Sequence, residues 1–207
     1  MTSILKVDEL QDSSGNLIIK EVANAITIGA SGDTITIPAG ATITNSGTAS
    51  GFGGITVADQ WRLTANLTAT NGTISSNLEQ VDTAPLGTLG SAMTVSSGIF
   101  TFPSTGFYLV GFHGWGANSS SADNMTVIIQ GTTNNSSYVN IAEASDSSGG
   151  IAQDQIAGLS TQCIVDVTDT SNVKVLFQTS SFGSGSYLAG STDINYSAFH
   201  FIRLGDT

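Results

Sequence analysis

Basic residues are almost missing from this sequence. Lys6, Lys20, Arg62, Lys174 and Arg203 are the whole supply against 16 acidic residues, which leaves the 207-residue chain with a formal charge of −11. A nucleic-acid partner needs a basic stripe to displace counterions from phosphates, so nucleic acid is excluded, and an anionic membrane surface with it. Cysteine is scarcer still. Cys163 alone cannot close an intrachain disulfide, and its setting in QCIVDV suits a small buried hydrophobe. No apolar run approaches the roughly 18 residues of a membrane span. MTSILKVDEL lacks the basic start and apolar segment of a secretion signal, so no secretory route is expected. Helical periodicity is absent as well: no segment repeats apolar groups every 3.6 residues for long enough to make a helix.

What fills the sequence instead is Ser, Thr, Asn and Gly, which keep a surface wet without charge; charged residues make up only 10%. Average proteins carry about a quarter. Such a composition suits β-rich, extracellular or particle-borne structural proteins better than cytosolic enzymes. Its texture changes along the chain. Residues 1–54 hold one aromatic, Phe52, and a short quasi-repeat in AITIGASGD, TITIPAGA and TITNSGTA. Ile26/Ile28, Ile35/Ile37 and Ile43 alternate with Thr and are interrupted by Gly, Asn or Pro, a pattern of strands too short to bury their own apolar face. Strands of this kind gain stability by stacking on one another or on copies from other subunits, which predicts a slim β-structured stalk or anchor, threefold, with GTASGFGG as a connector. The alternative is an unstructured tail that happens to contain β-branched residues.

From residue 55 onward, strand patterns follow at short spacing. WRLTANLTA places Trp61, Leu63, Ala65 and Leu67 on one face; AMTV, GIFTF, FYLVGFHGW, NMTVIIQG, SYVNIAEA, QCIVDVTD, NVKVLFQT and YSAFHFIRL follow. So many short strands without helices predict an antiparallel β-sandwich of the jelly-roll class over residues 55–207.

Within it, GIFTFPSTGFYLV is the most specific stretch. It resembles the hallmark of the complement C1q globular-head and tumour-necrosis-factor-like jelly rolls, where a strand ends in Gly-x-Phe-x-x-Pro and Gly-x-Tyr opens the next. The matching positions are Gly98, Phe100, Pro103, Gly106 and Tyr108. CIVDVTDTSNVKVLF and the closing YSAFHFIRL fall where that family places comparable strands. Asp169-Thr170-Ser171 stands where the family's usual Gly-Asp turn would be. The resemblance spans about residues 58–205 and implies a tight homotrimer with aromatic residues at its threefold axis; Tyr108, Phe199 and Phe201 are the candidates it suggests. A second resemblance lies at the N-terminus, where MTSILKVDELQDSSGN and ITIPAGATITNSGTASG look like the opening of structural proteins from marine and cyanobacterial tailed phages.

Candidate chemistry is sparse. Ser and Asp are abundant and there are two histidines, His113 and His200, but no G-x-S-x-G elbow, H-E-x-x-H helix or phosphate-binding loop occurs. No catalytic residue and no cofactor are expected. Glu143, Asp146, Asp154 and Asp193 could supply oxygens to Ca²⁺, although their spacing matches no EF-hand loop. Exposed rings beside amides suit glycan binding, which singles out Trp115 with Asn118 and Phe182 with Tyr187.

These observations and resemblances lead to one main expectation: a non-enzymatic, trimeric phage virion protein. Residues 1–54 would fix it to other virion proteins, and the head would bind host glycan or protein as a tail fibre or spike. A capsid decoration protein seated at threefold sites is the alternative. A secreted C1q-like lectin and a polysaccharide depolymerase are more distant readings.

Overall fold

The computed structural model describes residues 8–23, 25–44, 54–118, 123–148 and 155–207, and every regular element among them is a strand. The chain divides into two compact units between residues 50 and 51.

The first unit is a three-stranded antiparallel meander of β1 (Glu9–Gln11), β2 (Leu17–Val22) and β3 (Ala25–Ile28). Asp12 closes the first turn. Its carboxylate accepts the backbone N–H groups of Ser14 and Asn16, each at 2.8 Å, and the Asn16 amide at 2.8 Å. The Asn16 side chain, followed by these backbone donors, holds the Asp12 carboxyl below its usual range. The isoleucine alternation is strand only at Ile26 and Ile28; Ile35, Ile37 and Ile43 lie outside any strand. Local hydrogen bonds end the pattern there. Asp33 turns back to accept Ala30 N–H at 2.7 Å, and Pro38, which has no N–H to give a ladder, opens a turn closed by Ala41 N–H at 3.0 Å.

The second unit is a sandwich of two antiparallel sheets. The first sheet contains β4 (Ala58–Leu63), β5 (Leu67–Thr68), β7 (Leu78–Gln80), β10 (Gly106–Asn118), β13 (Gln155–Val167), β15 (Ser186–Leu188) and β16 (Ala198–Gly205). The second contains β6 (Gly72–Thr73), β8 (Thr94–Ser96), β9 (Ile99–Thr101), β11 (Asp123–Thr132), β12 (Val139–Ser148) and β14 (Lys174–Ser180). All the longer strands read from the sequence form. The WRLTANLTA pattern does not run as one strand: it breaks after Leu63, and Ala65 is exposed between β4 and β5.

Rings dominate the space between the sheets. Phe100 from β9 packs on Phe177, Phe199 and Phe201 at centroid distances of 5.4, 6.1 and 5.1 Å, and Phe177 stacks on Phe199 at 4.4 Å. Each buried phenylalanine contributes about 1.5–3 kcal/mol of apolar transfer, and offset pairs add a little more. The Gly98–Tyr108 corner works as its residues suggest. β9 stops at Thr101, two residues before Pro103. Gly106 (φ +138°) lies so close to the Gly205 carbonyl that a Cβ there would sit 2.4 Å from it. Tyr108 then enters the core beside Phe102, its hydroxyl donating to the Ser104 carbonyl at 3.1 Å.

A buried carboxylate ties the sandwich to its longest connection. Asp59 points inward from β4 and accepts Trp61 Nε1–H (2.9 Å), Met93 N–H (2.8 Å), Gln80 Nε2–H (2.9 Å) and the Thr88 hydroxyl (3.1 Å). With its acceptor capacity used, the charge is tolerated inside.

Candidate functional site

The 13-residue strand β10 sets the functional geometry, because its two faces have different surroundings. One edge is bonded along its full length to β13, and the other to β16 and then β15. Tyr108, Val110, Phe112 and Asn118 alternate inward and are buried. Phe107, Leu109, Gly111, His113 and Trp115 alternate outward. On β13 the outward set is Ile156, Gly158, Ser160, Gln162, Ile164 and Asp166, and on β16 it is Ala198, His200 and Ile202.

Large apolar side chains stand exposed on this outward face. Ile156 and Ile164 are each 64% exposed, and Phe107 and Trp115 more than a third. Asp166, opposite Phe107 at the end of the ladder, is the one carboxylate among these outward positions of β10, β13 and β16. In a chain with 16 acidic residues, a face so free of charge is a marked local departure. A groove of about 560 Å³ crosses it, bounded by His113, Trp115, Ile156, Asn195 and Tyr196. Trp115 meets Tyr196 edge to face at 4.5 Å, and His113 Nε2 lies 3.1 Å from the Tyr196 carbonyl. Partial burial pushes both imidazoles below their usual range; for His200 the nearby His113 adds to it.

The sequence candidates land unevenly on this geometry. Tyr108, Phe199 and Phe201 are fully buried between the sheets of a single chain, so they offer nothing to a neighbouring copy. Their odd-numbered or even-numbered neighbours do: a strand's period of two puts Phe107, Leu109, Ala198, His200 and Ile202 on the open side. Asn118, proposed to stand beside Trp115 as a recognition pair, points inward and is 2% exposed. Phe182 is likewise core, 4% exposed, its backbone N–H and carbonyl held by the Asn71 amide at 2.9 and 3.0 Å. Tyr187 is half-buried on β15 opposite Thr68. Trp115 alone of the four presents a ring at an open surface.

The acidic candidates do not converge. Asp146 accepts Ser147 and Gly158 backbone N–H groups, Glu143 is exposed on β12, and Asp193 is exposed in the loop before β16. Asp154 lies outside the described residues. Among the described residues, no group of three or more His, Cys, Asp or Glu side chains is arranged to hold a metal ion. Arg62, which sequence reasoning passed over, is fully buried. It reaches Glu79, Asp82 (2.7 Å) and Thr83 (3.0 Å), tying β4 to β7 and the loop beyond.

No protein-family model matches the chain, and no curated protein matches it in sequence. Solved structures do match in shape. The Eiger TNF of S. frugiperda is 12% identical, with a TM-score of 0.55 over 73% of this chain and 94% of that one. Murine APRIL is 8% identical, with a TM-score of 0.51 over 72% and 98%. The globular domain of zebrafish complement 1qA is 13% identical, with a TM-score of 0.47 over 73% and 99%. At these identities the likeness concerns the fold alone: the second unit is an antiparallel jelly roll of the tumour-necrosis-factor type.

Proposed function

We propose that this chain is a non-enzymatic virion structural protein of a tailed phage. It is a homotrimer whose first unit attaches it to other virion proteins and whose jelly-roll head displays loops to the host surface. The observation that carries the self-association is the outward face of the first sheet. Two chains of charge −11 repel wherever their acidic surfaces meet, whereas this face brings apolar groups together with few like charges. Copies of the chain itself are therefore the occupants it fits best, and the heads come together there. Threefold display then gives avidity to individually weak contacts at the loops.

The first unit supports attachment by another route. Among the described residues, β1 and β3 each pair only with β2, leaving an open edge on each side to which a strand of a partner can add. This edge suits either a tail fibre or a capsid decoration protein that clamps its neighbours. Two measurements test the reading. Light scattering after size exclusion at micromolar concentration gives three times the chain mass if the head trimerises, and a monomer refutes it. Antibody labelling of phage particles whose genome encodes this chain locates it: label at the tail selects the fibre, label on capsid faces selects decoration, and no label on either refutes the virion assignment.

A further inference from the structure

The chain's two histidines come together on the face assigned to self-association, and the inference that follows rests on that assignment. In the β10–β16 ladder His113 lies opposite Ala198 and His200 opposite Gly111. The two are thus diagonal neighbours on adjacent strands, with backbones roughly 7–8 Å apart. Gly111 is the seat of His200: a Cβ added there would lie 2.0 Å from His200 Nε2, so the imidazole fills the space any larger residue would need. His113 is fixed by its Nε2 contact with the Tyr196 carbonyl, which accepts a proton-bearing nitrogen.

The residues directly opposite the pair carry no charge. β13 presents Ser160 and Gln162, and its Asp166 stands four residues beyond Gln162, at the far end opposite Phe107. β4 presents Gln60 opposite His200, then Arg62, whose charge is taken up by Glu79 and Asp82. Asp59 on the same strand points to the interior. Further along β16, Arg203 is paired with Asp206. The loop before β16 brings Asn195 and Tyr196, while its Asp193 is exposed.

We propose that His113 and His200 make self-association of the head sensitive to acid: neutral, they pack into the shared face, and protonated, they place two positive charges per copy into a contact whose one carboxylate among the outward positions of β10, β13 and β16, Asp166, lies at its far end. The direction follows from proton linkage. Packing against another copy removes water and disfavours the charged imidazole, so the assembled state binds fewer protons than the separated copies. Acid therefore favours separation, beginning below the range of a free imidazole because partial burial already lowers both rings in the single chain. Each proton taken up on separation raises the apparent dissociation constant tenfold per pH unit.

Sedimentation velocity on the full chain at pH 8, 7, 6 and 5, with circular dichroism to follow folding, tests this. The expected result is a trimer at pH 8 that separates into folded monomers by pH 5. The His113→Gln, His200→Gln double variant should keep its assembled mass to pH 5, and His113→Gln alone should retain part of the acid response, which guards against misfolding caused by the larger change over Gly111. Acid separation that is equal in wild type and in both variants would overturn the assignment to these histidines. An unchanged trimer at pH 5 would overturn acid control while leaving self-association intact. A monomer at every pH would overturn self-association, and this inference with it.

Discussion

Residues 8–44 and the jelly-roll head both draw on alternating isoleucine, valine and threonine, yet they use that alternation in opposite ways. In the head, one face of each long strand closes against a second sheet, and Val127, Ile129, Val175 and Phe177 are all but sealed from water. Among the described residues of the first unit there is no second sheet. Ile18, Ile19, Ile26 and Ile28 all remain more than 40% exposed, although their local sequence is as strand-prone as anything in the head. Alternation makes a strand, but only an opposing layer turns it into stability. The head therefore carries its own folding free energy, whereas the described part of the first unit leaves most of its apolar side chains in water.

Substitutions can break or sharpen that contrast. Phe100→Ala should have the largest effect, because this ring touches Trp61, Phe177, Phe199 and Phe201. Equilibrium unfolding in urea should show a loss of about 3–5 kcal/mol, the usual cost of emptying a ring-sized site in a core. Asp59→Ala comes next. It leaves the Trp61 indole N–H and the Met93 N–H buried without their acceptor, and the same measurement should show a loss of about 3 kcal/mol. Ile26→Thr, at a side chain 70% exposed, should change the stability of the separated chain by less than about 0.5 kcal/mol. A loss at Ile26 as large as that at Asp59 would mean the isoleucine is covered within the chain itself, and would overturn the distinction between the two regions.

The fold was legible in the sequence to a considerable depth. Strand period, spacing and the Gly98–Tyr108 corner pointed to an antiparallel jelly roll, because those signals depend on local sterics: a proline that cannot donate and glycines at positive φ. Leu67–Thr68 read as the continuation of the Trp61 strand, whereas it pairs with Ser186–Leu188. Gly72–Thr73 and Ser186–Leu188 gave no signal of their own: they are two or three residues long and are placed by the edges of β14 and β10. The candidate site was less legible, and for a specific reason. A strand of alternating apolar residues shows that two faces exist without showing which one meets the second sheet. In FYLVGFHGW both faces are apolar, and Tyr108, which the resemblance suggested for an interface, falls on the inward one. Asn118 and Phe182 misled for a related reason: Asn and a ring among glycines read as loop, whereas tertiary packing buries both.

The division of β10 into inward and outward positions has a consequence for how this protein can vary. Even-numbered positions from Gly106 to Asn118 answer to folding, and a poor choice there removes the protein altogether. Odd-numbered positions such as Phe107, His113 and Trp115 face out from the sheet, and a change there leaves the core as it is. One strand thus carries two independent records of selection, interleaved residue by residue.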